Sequence, residues 1–124
     1  MKKVIATPDA PKAVGPYSQA IEVNGTLYIS GQIPVNPADG KIQEEITAAA
    51  HQSLKNIGAI LKEAGMTYDN VVKTTVLLAD IADFKAVNEV YAEYFTGDKP
   101  ARACYQAAAL PLGVKVEIEA IAVK

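Results

Sequence analysis

Between Tyr17 and Ile33 apolar and polar residues alternate in two runs, YSQAIEV and TLYISGQI, with Asn24-Gly25 between them. Alternation of period two marks strands with one buried face, and Asn-Gly between two such runs predicts a hairpin. PDAPKAVGP before it and PVNPADGK after it are loops by their prolines and glycines. From Glu45 to Ala64 the period lengthens. Ile46, Ala50, Leu54, Ile57 and Leu61 fall on one stripe of a helix, and Gly65 stands where such a helix ends. DNVVKTTVLLAD is rich in β-branched residues and apolar at both parities, as in a central strand covered on both faces. Asp80 or Asp83 can cap a second helix from Phe84 to Phe95. Phe84, Val87, Tyr91 and Phe95 share one face of it, with Asn88 one turn past Phe84. TGDKP then breaks the helix.

Two more strands close the chain, joined by LPLG, and the second of them reads VKVEIEAIAV. The predicted order is hairpin, helix, strand, helix, hairpin. This is an α+β fold, a single domain over residues 1–124, with a mixed sheet and two helices packed on one face. Such a two-layer domain leaves the other sheet face bare, for water or another subunit. If the final strands pair as a hairpin with an even loop, Arg102, Cys104 and Gln106 share a face with Glu117 and Glu119. Val114, Val116 and Ile118 then cover the helix side. A slip of one residue would reverse this. In the first hairpin, alternation puts Tyr28, Ser30 and Gln32 on one face and Leu27, Ile29 and Ile33 on the other.

Composition narrows the choices. Half of the 124 residues are hydrophobic, enough for a core, and the net charge is -2. The lysines are scattered, so no basic stripe for nucleic acid is expected. One cysteine and one histidine, His51, make neither an internal disulfide nor the usual zinc sets, so no metal site is expected. No signal peptide or membrane span is read in the sequence, and the expectation is a cytoplasmic protein.

The scarce chemistry is concentrated near the end of the chain. Arg102, the only arginine, is a planar fork suited to a carboxylate. It could equally brace the strands by pairing with a glutamate. Cys104 beside a cation could be a reactive thiol, or simply a small packed hydrophobe, which is the commoner use. Gly31 could admit a ligand close to the backbone or mark a bulge. Polar groups on a bare face, from two hairpins, point to a shared pocket.

GPYSQA, LYISGQIPVNP, VVKTTVLLADIADFKAVNEVYAEYF, PARAC and ALPLGVKVEIEAIAV closely resemble the Rid family, the YjgF-type reactive intermediate deaminases. The resemblance runs nearly the whole length. It implies a chorismate-mutase-like homotrimer with clefts between subunits. It implies hydrolysis of 2-imino acids such as 2-iminobutanoate and 2-iminopropanoate, or their enamines, to 2-oxo acids and ammonium, without a cofactor. PLP-dependent dehydratases would supply these intermediates. The family's carboxylate-binding arginine matches Arg102 and its water-orienting glutamate Glu117. Its substrate-binding positions match Tyr17, Ser30, Gly31, Asn88 and Cys104. The chain departs from the pattern at Ala103, where serine is usual, and at Tyr105, where a small aliphatic residue is usual.

The implied chemistry suits these residue types. An iminium carbon is already electrophilic, so a clamp and a water-orienting carboxylate suffice. A second reading is a non-catalytic module that binds small carboxylates and regulates a partner. Glu117 discriminates, because an anion receptor gains nothing from a carboxylate facing its ligand. A third, an RNA-cleaving translation inhibitor, is disfavoured by the acidic balance and the lack of a histidine pair.

Overall fold

The Glu45-to-Ala64 periodicity folds as α1, Ile46–Glu63, in a computed structural model that describes residues 1–124. The Glu45 side chain caps it, accepting from Thr47 N at 2.7 Å and Ala48 N at 3.3 Å. At its other end Gly65 takes φ 74°, Gly65 N bonds Lys62 O at 3.0 Å and Met66 N bonds Leu61 O at 2.8 Å. These two bonds are the Schellman closure that a left-handed glycine permits. The second helix, α2, is Phe84–Tyr94. Asp80 caps a short 3-10 turn before it, through Ala82 N at 2.9 Å, and Asp83 makes no side-chain cap.

Six strands form one mixed sheet: β1 Lys3–Ile5, β2 Ala20–Val23, β3 Thr26–Gln32, β4 Val71–Leu78, β5 Ala101–Gln106 and β6 Val116–Val123. Their order is β1-β2-β3-β6-β4-β5. The Asn24-Gly25 hairpin joins β2 and β3, with both turn residues at positive φ. Tyr17 to Gln19, expected in the first strand, are loop, and β1 adds an unexpected short edge. No helix is long and apolar enough to cross a membrane.

The expected final hairpin does not form. β6 lies between β3 and β4, antiparallel to both, while β5 pairs in parallel with β4. The chain leaves β4, crosses over through α2 and returns as β5, the unit that parallel strands require. Loop parity therefore had no bearing on β5 against β6. Their faces follow from β4, which pairs with both. Val76 lies opposite Cys104 and Ile118, and Thr74 opposite Arg102 and Ala120. Val76, Ile118 and Thr74 are buried beneath the helices. Arg102, Cys104 and Gln106 thus take the helix side. Leu77, opposite Tyr105 and Glu117, and Thr75, opposite Ala103 and Glu119, take the other face.

A bulge in β3 makes a second correction. Ile29 pairs with Ala120 but Gln32 with Ile118, so one extra residue is accommodated between them. This turns Gln32 to the core side, where it is 5% exposed. β4 is central as expected, but only its helix face is covered: Val72 and Lys73 are exposed, and Thr75 and Leu77 half-buried. The core lies between sheet and helices, around Leu27, Leu54, Ile57, Leu61, Val76 and Ile118. The lead-in loop is held by one buried side chain. Gln19 Oε1 accepts from Thr7 N at 2.8 Å, and its Nε2 donates to Thr7 O, Ala10 O and Pro11 O.

Gly58 lies inside α1 because Tyr68 crosses the helix there. The Tyr68 hydroxyl donates to Leu54 O at 2.6 Å, and a Cβ at Gly58 would lie 2.7 Å from Tyr68 Cζ. Gly58→Ala is expected to displace the ring and cost about 1–3 kcal/mol, despite alanine's better helix propensity. Thermal melting checks this, and an unchanged or raised midpoint would refute the contact's importance.

Candidate active site

Glu117 is one of two carboxylates of β6 that face away from the helices, with Glu119, and the β3 bulge places Gly31 against it. A Cβ on Gly31 would run into the carboxylate, with Glu117 Cδ at 2.9 Å. Gly31 has no positive φ, so glycine serves here for close approach and not for a turn. The bulge reading of Gly31 is met, and the group that approaches its backbone closely is the Glu117 side chain. Burial, then the nearby Glu119 charge, push the Glu117 carboxyl above its ordinary value of 4.5.

Ser30 stands beside Gly31 and braces the lead-in loop. Its hydroxyl donates to Ser18 O at 2.6 Å, and its N–H to Gln19 O at 2.9 Å. Tyr17, one residue earlier on that loop, is half exposed and shares with Gly31 a cavity of about 330 Å³. Leu112, an exposed residue at φ 57°, lines the same cavity.

Arg102, Asn88 and Cys104 form a second cluster, at the β5 edge and on the helix side. Arg102 Nη1 donates to Asn88 Oδ1 at 2.7 Å. Its Cζ lies 4.8 Å from the Tyr91 ring centroid and 5.6 Å from that of Phe84. Arg102 therefore makes no pair with Glu117, and the bracing alternative fails in this chain. Cys104 packs against the core, and burial raises its thiol above the ordinary value of 9.0 against the opposing pull of Arg102. A partly buried thiol with a raised pKa fits the packed-hydrophobe reading of Cys104.

The candidate residues thus gather in two groups on opposite faces. From the β4 register, the Cα atoms of Arg102 and Glu117 are on the order of 14 Å apart: two strand spacings across and three residues along. One chain does not bring Arg102 and Glu117 together. His51 is in neither group: its Nδ1 bonds the Tyr94 hydroxyl at 2.8 Å in the helix layer, and Glu93 lies 3.9 Å from its Nε2. No group of three or more His, Cys, Asp or Glu is placed to hold a metal ion.

The sequence reading missed Tyr91 and Thr74 as neighbours of Arg102. A signal was present in the spacing of Phe84, Asn88 and Tyr91 on one helical face. What it faced depended on the parallel return of β5.

The raised Glu117 carboxyl carries a pH signature. Protonation is favoured more in the folded chain than in the unfolded one. The stability this contributes is fully present below about pH 4.5 and is lost as pH rises through the raised value. Glu117→Gln has no charge to bury, so its melting temperature should gain on the parent's as pH is raised from about 4 to about 8. Parallel melting across that range would show that the carboxyl is not shifted.

Residues 7–124 match the family model described as Endoribonuclease L-PSP. The chain is 58% identical to the 2-iminobutanoate/2-iminopropanoate deaminase of Mus musculus, over 100% of this chain and 93% of that one. It is 55% identical to the Homo sapiens protein of the same name, over 100% and 91% of the two chains. A crystal structure of a Yersinia pestis protein of unknown function, from the conserved Rid protein family, superposes with a TM-score of 0.97. That protein is 50% identical, and the match covers 100% of both chains. With a family match from residue 7 to the last residue, and that identity held along the whole fold, the chain belongs to the Rid (YjgF) family.

Proposed function

We propose that this protein hydrolyses 2-imino acids, 2-iminobutanoate and 2-iminopropanoate among them, to 2-oxo acids and ammonium. The observation that carries the reading is the Glu117 carboxylate, seated against Gly31 with its proton affinity raised. A receptor that only bound carboxylates would gain nothing from it. The deaminase names of the relatives support the same activity.

The chemistry balances with these groups alone. Arg102 holds the substrate carboxylate by two parallel N–H donors, one remaining Nη1 contact being spent on Asn88. Glu117 takes a proton from water as the water oxygen bonds to C2 of the iminium, giving a 2-amino-2-hydroxy acid. The protonated Glu117 passes that proton to the nitrogen. It then accepts the hydroxyl proton as the C–N bond breaks and the C2 carbonyl forms. Ammonia leaves and takes up that proton as ammonium, returning Glu117 to its starting state. A carboxyl with a raised pKa suits both directions of transfer. Cys104 needs no thiolate in any step. Tyr17, Ser30 and Gly31 shape the walls around C2, and PLP-dependent dehydratases are the class of enzyme that releases such substrates.

The separation of Arg102 from Glu117 supports a site built from two chains. The bare sheet face carries Tyr28, Thr75, Tyr105 and Glu119, and β5 is an unpaired edge. A homotrimer with three such clefts satisfies both features, one chain giving Arg102, Asn88 and Cys104 and its neighbour Glu117, Gly31, Ser30 and Tyr17.

The test of the activity is a coupled assay. A threonine dehydratase generates 2-iminobutanoate, and 2-oxobutanoate formation is followed with and without this protein. Acceleration by the parent is expected, with Glu117→Gln reducing it about 10²- to 10⁴-fold. Arg102→Lys should lose tens to thousands-fold, because an ammonium is a point charge and not a fork. Full activity in a folded Arg102→Lys sample would remove Arg102 from the mechanism.

Subunit sharing has its own test. Arg102→Ala and Glu117→Gln, each inactive alone, are unfolded together, refolded and assayed. If every site takes its arginine and glutamate from different chains of a closed ring, about one quarter of the sites in a random mixture are intact. Recovery near that fraction is expected, whereas no recovery would place both residues of a site on one chain.

A further inference from the structure

Arg102 is exposed on an edge strand, yet three residues of α2 fix it from one side. Phe84, Asn88 and Tyr91 stand at i, i+4 and i+7, so they share one helical face. The guanidinium lies over the Tyr91 ring, Cζ 4.8 Å from its centroid, and near Phe84 at 5.6 Å. Asn88 Oδ1 takes one Nη1 proton at 2.7 Å. Face and edge of the guanidinium are thus both contacted.

The Tyr91 ring is itself immobilised. It is 6% exposed, and its hydroxyl shares a 2.7 Å hydrogen bond with Thr74 Oγ1, which is 1% exposed. Phe95 packs on the ring with centroids 4.5 Å apart. Thr74 is also the residue of β4 directly opposite Arg102. A closed circuit results: Thr74 holds the Tyr91 ring, the ring carries the guanidinium, and β5 returns beside Thr74. A leucine in place of Tyr91 would fill space there but offer no face to a cation.

We propose that Tyr91 is a positioning residue for Arg102: its ring fixes the plane of the guanidinium so that the outward donors meet a carboxylate already aligned. The inference deepens the proposed function and rests on its reading of Arg102 as the clamp. The physical gain is preorganisation. A free arginine loses much rotamer freedom when it binds, and a stacked one has already lost it on folding. Asn88 acts on the edge of the fork in the same sense, orienting Arg102 through its Oδ1.

The experiment measures binding apart from turnover, by NMR titration of the intact protein with 2-oxobutanoate, alongside thermal melting. Tyr91→Leu is expected to weaken binding about 3- to 30-fold. Tyr91→Phe keeps the ring but leaves Thr74 unpaired. It should melt lower than the parent and yet bind within about threefold of it. A purely structural role predicts that binding tracks melting across the two variants. In an Arg102→Ala background, Tyr91→Leu should weaken binding no further. If Arg102→Ala loses binding while folded Tyr91→Leu binds like the parent, this inference is overturned and the clamp stands. If Arg102→Ala binds like the parent, the clamp and this inference fall together. An equal loss in Tyr91→Phe and Tyr91→Leu, or a further loss on the Arg102→Ala background, would also overturn it.

Discussion

The register of β4 is the constraint on which the rest depends. This strand pairs in parallel with β5 and antiparallel with β6, so each of its residues fixes one neighbour on either side. Thr74 opposite Arg102 and Leu77 opposite Glu117 set where the guanidinium and the carboxylate lie and which way each faces. A one-residue slip of β5 along β4 would carry Arg102 from the α2 surface to the opposite face. The packing of Cys104 against the core opposes that slip.

Much of the fold was legible because its signals are local. The apolar stripe of α1, the left-handed Gly65 and the Asn24-Gly25 turn each act within a few residues. The extent of α2 was likewise readable from Phe84 to TGDKP. β1 was not, because three residues next to a proline-rich loop carry too little pattern. The partners of β5 and β6 were not readable either, because adjacency in sequence favours a hairpin and only the whole sheet shows that β4 intervenes. Gln32 was misplaced for a smaller reason: simple alternation does not survive a bulge.

The candidate site shows the same division. The residue types in ARACYQ and VEIEAIAV singled out Arg102 and Glu117 as candidates, and Gly31 and Ser30 lie on the strand next to β6. What pattern could not give was their separation into two groups. That follows from a crossover connection, and it turns a pocket expected within one sheet face into two groups on opposite faces. Physical chemistry distinguishes them. The Glu117 half is partly dry and raises a carboxyl. The Arg102 half is open to solvent and stacked on aromatic rings.

The position of β6 has a consequence for how the molecule is made. It follows its five sheet partners in the chain, yet it pairs between β3 and β4, with Val123 opposite Thr26. Without it the β2–β3 hairpin and the β4–α2–β5 unit share no strand pairing, and only α1, which packs on both β3 and α2, spans them. Contacts spanning nearly the whole sequence close last and slowly. Glu117 enters on the strand that completes the sheet, so a chain without that strand has neither a continuous sheet nor the carboxylate.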